Sequence, residues 1–217
     1  MKRLMGPLLA VLVIGQACYL GAADKPATTP AKAPAAKGPG GKPEVYPLPP
    51  TLKDVAYGTH PKQVLHVWKA ESDKPTPLLF FIHGGGWSSG NRSSGIAGLL
   101  PEMLKNGISV VSVEYRFIGE ATADGVVPPV KGPLMDAARA LQFVRAKAGE
   151  WNIDKARIGA SGGSAGACTS LWLAFHDDMA DPKSSDPIAR ESTRLWCAAV
   201  TAPQPTLDPK QMKEWTP

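Results

Sequence analysis

The sequence predicts an α/β fold, a mainly parallel central sheet with helices on both faces. Three observations predict it. From Asp54 onward, short apolar runs alternate with helical patterns, as strands joined by crossover helices do. Two of those runs, Leu78 to Ile82 and the β-branched stretch Ile108 to Tyr115, read as strands buried on both faces and therefore central. A third, short run at Arg157, Ile158 and Gly159 passes through glycines into an apolar helical segment, a strand, tight turn and helix in succession.

The elements follow in chain order. Residues 1–23 read as an export signal, with Lys2 and Arg3 as the charged start, Leu8 to Ile14 as an apolar stretch too short for a stable membrane span, and Gly21, Ala22 and Ala23 as small residues before cleavage at Asp24. This places the protein outside the cytoplasm, periplasmic or extracellular. Lipid attachment at Cys18 is disfavoured because Gly15 stands where a leucine is usual. Residues 24–52 form a Pro/Ala/Lys-rich linker; its eight prolines and four lysines between residues 24 and 50 leave too little apolar surface to offset the entropy of ordering. A single domain then occupies residues 53–217, with strands at Val64 to Trp68, Leu78 to Ile82 and Ile108 to Tyr115. Helices are expected over Ile96 to Lys105 and Pro133 to Ala148, the second marked by Leu134, Ala138 and Leu141 at spacings of three and four. The helix Ala167 to Phe175 follows the glycine turn, His176 to Arg194 is a polar surface excursion, and Leu195 to Thr201 returns as an apolar strand.

Charge narrows the function. The net charge of +5 is concentrated at the N-terminus, where residues 1–52 hold six basic and two acidic groups, so the domain itself is nearly neutral and offers no basic patch for nucleic acid. Cys168 and Cys197, both among apolar neighbours, read as two buried free thiols. His176, Asp177, Asp178 and Asp181 invite a metal reading, but a helix end leading into a polar loop explains them with less, and no metal is assigned.

Two glycine motifs carry the chemistry. Gly162-Gly163-Ser164-Ala165-Gly166 matches G-x-S-x-G between a strand and a helix, a turn that holds a serine hydroxyl above the sheet and needs small residues two before and two after it. His83-Gly84-Gly85-Gly86 stands 81 positions upstream, directly after a buried strand, where its amides can face the same point. Together the motifs resemble the α/β-hydrolase superfamily, specifically the hormone-sensitive-lipase-like esterases with an HGGG loop. The resemblance covers roughly Asp54 to the C-terminus, and from Ala148 to Trp172 it is most similar to secreted esterase-like hydrolases of planctomycete-type bacteria. It implies Ser164 as catalytic nucleophile, the amides of Gly85, Gly86 and Ala165 as oxyanion hole, and His83 and Gly84 as support for the oxyanion loop, with no cofactor. Glu114-Tyr115-Arg116 and Asp136 to Ala140 belong to the same resemblance; an Arg116–Asp136 pair is expected to be architectural and weak, like most surface ion pairs.

The rest of the triad does not appear. In this fold the order is Ser, acid, His, and the one histidine after Ser164, His176, lies twelve positions along the expected helix, about 18 Å away. His60, His66 and His83 all precede the nucleophile. Asp208 is a disfavoured candidate acid, a plain loop aspartate being the simpler reading. The C-terminal strands that bring acid and base are therefore expected to be absent from a truncated N-terminal portion, which leaves Leu195 to Thr201 as an unprotected apolar edge. The leading functional reading is a secreted serine hydrolase that cleaves a small carboxylic ester, such as a sugar or short acyl ester, through an acyl-enzyme. The alternatives are a non-catalytic binding protein or inactive fragment of this fold and, ranked last, a peptidase.

Overall fold

The computed structural model describes residues 10–13 and 46–204, together with residues 208 and 210. Its strands are β1 (Ala10–Val13), β2 (Leu52–Ala56), β3 (Val64–Trp68), β4 (Thr76–Ile82), β5 (Ser109–Val113), β6 (Ile153–Gly163) and β7 (Cys197–Thr201). They form one sheet in the order β1-β7-β6-β4-β5-β3-β2. The five strands from β1 to β5 in that order run parallel, while β3 and β2 close the far edge antiparallel. The helices are α1 (Leu100–Lys105), α2 (Ile118–Ala123), α3 (Lys131–Ala146), α4 (Ala148–Trp151) and α5 (Ala165–Phe175). None is long and apolar enough to cross a membrane.

The central strands sort their side chains by the two-residue period of a strand. In β4, Leu78, Phe80 and Ile82 enter the larger core, where α3 contributes Leu141 and Val144 and α5 contributes Leu173. Phe81 points the other way, into a smaller cluster with Ile96, Leu100 and Val110. Helices thus cover both faces, as the continuous apolar runs require; every residue of β5 is buried.

Several elements differ in extent from the sequence reading. The segment from Ile96 is helical only from Leu100, because Pro101 sits in the first turn, where a missing amide costs nothing. The helix expected to end at Ala148 divides into α3 and α4, and Asn152 in the left-handed region (φ 58°) then turns the chain into β6. Strand β6 continues through the glycines to Gly163, with a register shift against β4 between Thr76 and Leu78. The edge of β7 is not open: β1, from the stretch read as a leader, pairs with it in parallel, Ala10 opposite Cys197, and so occupies its free backbone groups. Residues 46–52, assigned by composition to the linker, lie on the domain, where Leu48 O accepts the Trp68 indole N–H at 3.0 Å and Tyr46 stacks edge-on against Trp68. The other linker residues, and the leader apart from β1, lie outside the described residues.

Two side-chain expectations are corrected. Cys168 and Cys197 are free but only half-buried. The Arg116–Asp136 pair is not a surface pair, since Asp136 is 1% exposed. Its carboxylate accepts Arg116 Nε at 2.9 Å, Nη2 at 2.6 Å, the Arg116 amide at 3.0 Å and Gln63 Nε2 at 2.8 Å, tying α3 to the loop after β5 and to the turn before β3. Removing one partner of such a pair strands the other. Asp136→Ala is expected to lower stability by about 3 kcal/mol in urea unfolding, well above the cost of breaking an exposed pair.

Candidate active site

The site forms where β4 and β6 end side by side. Strand β6 delivers Ser164 at a sharp turn into α5, and the serine adopts φ 53° and ψ −122°, a conformation that an L residue holds only under constraint. The constraint is visible. Ser164 N donates to Thr201 O at 3.1 Å and Ser164 O accepts Cys168 N at 3.0 Å, so the end of β7 and the first turn of α5 fix the turn from both sides. A Cβ at Gly162 or Gly166 would overlap the carbonyl oxygen of Ile82, which is why the positions flanking the serine carry no side chain.

The second glycine motif arrives beside the first. A Cβ on Gly84 would stand 2.7 Å from Gly163 O and 3.4 Å from Ser164 Cβ. The loop then turns through Gly85 (φ 111°), Gly86 (φ 61°) and Trp87 (φ 54°), and Gly85 O accepts the amides of Ser88 and Ser89, both at 3.0 Å. Trp87 clamps loop to helix: its buried indole N–H donates to Thr169 Oγ1 of α5 at 2.9 Å. Among the described residues, no hydrogen bond takes up the amides of Gly85 and Gly86. The amide of Ala165, in the first turn of α5, has no carbonyl four residues back within the helix.

His83 is built into the loop's foundation. Its ring is fully buried, with Nε2 3.1 Å from Glu114 Oε1 and Nδ1 2.7 Å from Gly84 O, and it stacks on Tyr115 at 4.3 Å between centroids. Tyr115 also donates its hydroxyl to His83 O at 2.8 Å. Burial and, after it, Glu114 push the Tyr115 phenol well above its ordinary pKa, so it remains a donor. With both ring nitrogens committed, His83 braces the loop and does not face Ser164 as a base.

The other histidines are engaged elsewhere. His60 Nδ1 accepts the Lys62 amide at 3.1 Å, and His66 is buried in β3 with its Nδ1 accepting the Asp54 amide at 3.0 Å. His176 is exposed beyond the far end of α5, its ring 4.5 Å from that of Trp172. Asp208 is exposed and accepts the Lys210 amide at 2.8 Å. The acidic residues after His176 serve the excursion: Asp178 accepts the Thr193 amide at 2.8 Å and the Ser192 hydroxyl at 2.7 Å. Burial raises the Asp178 carboxyl, but these hydrogen bonds outweigh it and hold its pKa below the usual value. No three potential metal ligands gather among the described residues.

A cleft of about 600 Å³ opens over the serine, lined by Gly84, Gly85 and Ser164 together with Phe81, Leu99 and Thr201. Trp87, Phe117 and Trp172, aromatic residues close to the motifs in sequence, do not line it. One residue in contact with Ser164 escaped the sequence reading: Gln204, three positions beyond β7, donates Nε2–H to Ser164 Oγ at 3.2 Å. No motif marks it, because it reaches the serine only through the turn at Ala202, whose φ is 48°.

Comparison with known proteins agrees with this architecture. The BD-FAE family model matches residues 66–213. Esterase LipC of Mycobacterium tuberculosis is 31% identical over 116 residues, which span 52% of this chain and 27% of LipC. The solved acetyl ester-xyloside bifunctional hydrolase from Caldicellulosiruptor lactoaceticus superposes with a TM-score of 0.54 at 31% identity, over 64% of this chain and 49% of that one. A thermophilic esterase from the Planctomycetes species Thermogutta terrifontis shares the fold with a TM-score of 0.53 at 24% identity, over 69% of this chain and 55% of its own. The chain thus spans about a third or less of the length of the curated relatives it matches.

Proposed function

The chain belongs to the BD-FAE family of α/β-hydrolase esterases, and from that premise we propose that it is an exported serine hydrolase that cleaves a small carboxylic ester through an acyl-enzyme on Ser164. The observation that carries the reading is the convergence of two remote glycine bends, with Gly84 against Gly163 and Ser164 and with Gly84, Gly85 and Ser164 lining one cleft. In the first step Ser164 Oγ bonds to the ester carbonyl carbon and its proton passes to a base. The carbonyl oxygen becomes an oxyanion held by the amides of Gly85, Gly86 and Ala165. The carbon–oxygen bond to the alcohol then breaks, and the alcohol leaves with a proton. Water repeats the attack on the acyl-serine and releases the acid. Among the described residues, none of the four histidines hydrogen-bonds Ser164 Oγ, each ring being engaged elsewhere.

A cleft of about 600 Å³ suits a sugar ester or a short acyl ester. The leader at residues 1–23 supports export, and its removal would take β1 with it. The experiment is to express the protein with its leader, recover the exported product, treat it with a fluorophosphonate and map the adduct by mass spectrometry. An adduct on Ser164 in a chain starting at Asp24 is expected; a folded protein without label on Ser164 overturns the reading. The engaged histidines favour a second reading, an oxyanion-binding protein without turnover, which the kinetic test of Ser164→Ala separates.

A further inference from the structure

The Ser164 hydroxyl has a partner outside both glycine motifs. Gln204 Nε2 lies 3.2 Å from Ser164 Oγ, and the other end of the same carboxamide, Oε1, accepts the Cys168 thiol at 2.9 Å. The Gln204 backbone amide donates back to Cys168 Sγ at 3.3 Å, so the glutamine is held to α5 at two points. Cys168 stands four residues after the serine, one helical turn on, and the same sulfur therefore sets both where Gln204 sits and which way its amide faces. Burial raises the Cys168 pKa, only partly countered by the Gln204 amide, which keeps the thiol protonated as a donor to Oε1. With Oε1 claimed by a donor, Nε2 is the end left to face the serine.

We infer that Gln204 is a positioning residue for the reaction proposed above, orienting the Ser164 hydroxyl through its carboxamide, with Cys168 fixing the carboxamide in turn. A serine oxygen has two lone pairs and one proton. The Gln204 N–H takes one lone pair, which confines the proton and the second lone pair to the remaining directions, one toward a base and one toward the carbonyl carbon. An amide N–H accepts no proton, so Gln204 is not the base. Its bond to Oγ strengthens as the oxygen gains negative charge during attack. The contribution falls on the chemical step rather than on substrate binding.

The inference rests on Ser164 being the nucleophile, and the experiment separates the two. Rates of Ser164 phosphonylation and of p-nitrophenyl acetate hydrolysis are measured against pH for the full-length protein, Gln204→Leu, Gln204→Glu, Cys168→Ala and Cys168→Ser, with thermal midpoints alongside. Gln204→Leu is expected to lower kcat and the labelling rate about tenfold to a hundredfold with KM changed less than about twofold. Gln204→Glu is expected to be slower still at pH 8, where a carboxylate opposes the charge on Oγ, and to recover relative to wild type near pH 4 to 5, where the acid again offers a proton. Cys168→Ala is expected to show part of the loss and Cys168→Ser to restore it. Wild-type rates in a folded Gln204→Leu, or a Gln204→Glu profile parallel to wild type, overturn the inference while leaving Ser164 as nucleophile. If Gln204→Leu does not fold, the Gln204→Glu profile and the Cys168 pair decide. A folded wild-type protein that leaves Ser164 unlabelled overturns both readings.

Discussion

Gly166→Ala is expected to destabilise the fold by on the order of 4 kcal/mol, an exceptional cost for one added methyl group. The added Cβ would overlap the Ile82 carbonyl oxygen and stand 2.8 Å from His83 O. Both obstacles are backbone, at the point where β4 runs into the glycine loop, so relief requires the strand end and the helix start to separate. Helix propensity acts in the opposite direction, since alanine is better than glycine inside a helix by about 1 kcal/mol. The clash decides the sign. Gly119→Ala supplies the contrast: in α2 the new Cβ meets nothing within 4 Å, and the same substitution should be neutral or slightly stabilising. Urea unfolding of the two variants checks this, with the midpoint lowered and the slope unchanged for Gly166→Ala alone.

Ser164→Ala is expected to bring hydrolysis of p-nitrophenyl acetate down to the residual rate that oxyanion binding alone supports, because without Oγ no acyl-enzyme forms. Stability should stay within about 1 kcal/mol, because alanine keeps the backbone bonds to Thr201 and Cys168 and gives up only the contact with Gln204. That separation between chemistry and folding is the diagnostic. Wild-type protein that turns over no ester, and whose binding of an ester analogue survives in Ser164→Ala, would instead support the non-catalytic reading.

How much of this was legible in the sequence depended on what each segment buries. Strands β4 and β5 were clear because both faces are covered, so Leu78 to Ile82 is apolar without interruption and β5 sets three valines among two small buried serines. Strand β2 was not. It is an edge strand with Leu52 and Val55 only half-buried, and it adjoins a proline-rich stretch whose composition hides it. Helix α2 holds six residues including Gly119, too short for a periodic signal, although Glu120 accepting the Phe117 amide at 2.6 Å is a capping contact that spacing can suggest. The glycine motifs were legible because close backbone approach restricts residue type at fixed positions. Asp136 was visible as a partner for Arg116, but its strength was not, since burial depends on how α3 docks. Gln204 had no signal, because forty positions separate it from Ser164 and a turn at an alanine joins them.

The backbone at position 164 has one more implication. Its φ of 53° and ψ of −122° form a pocket of conformational space that glycine enters with least penalty, and glycine already occupies positions 162, 163 and 166 around it. A turn needed only to join strand to helix would settle most cheaply on glycine there too. This chain instead carries a β-carbon in a disfavoured geometry, and what it gains in return is a single hydroxyl at the cleft, in contact with Gln204. The local folding energetics run against the side chain, which marks the oxygen as the reason the residue is there.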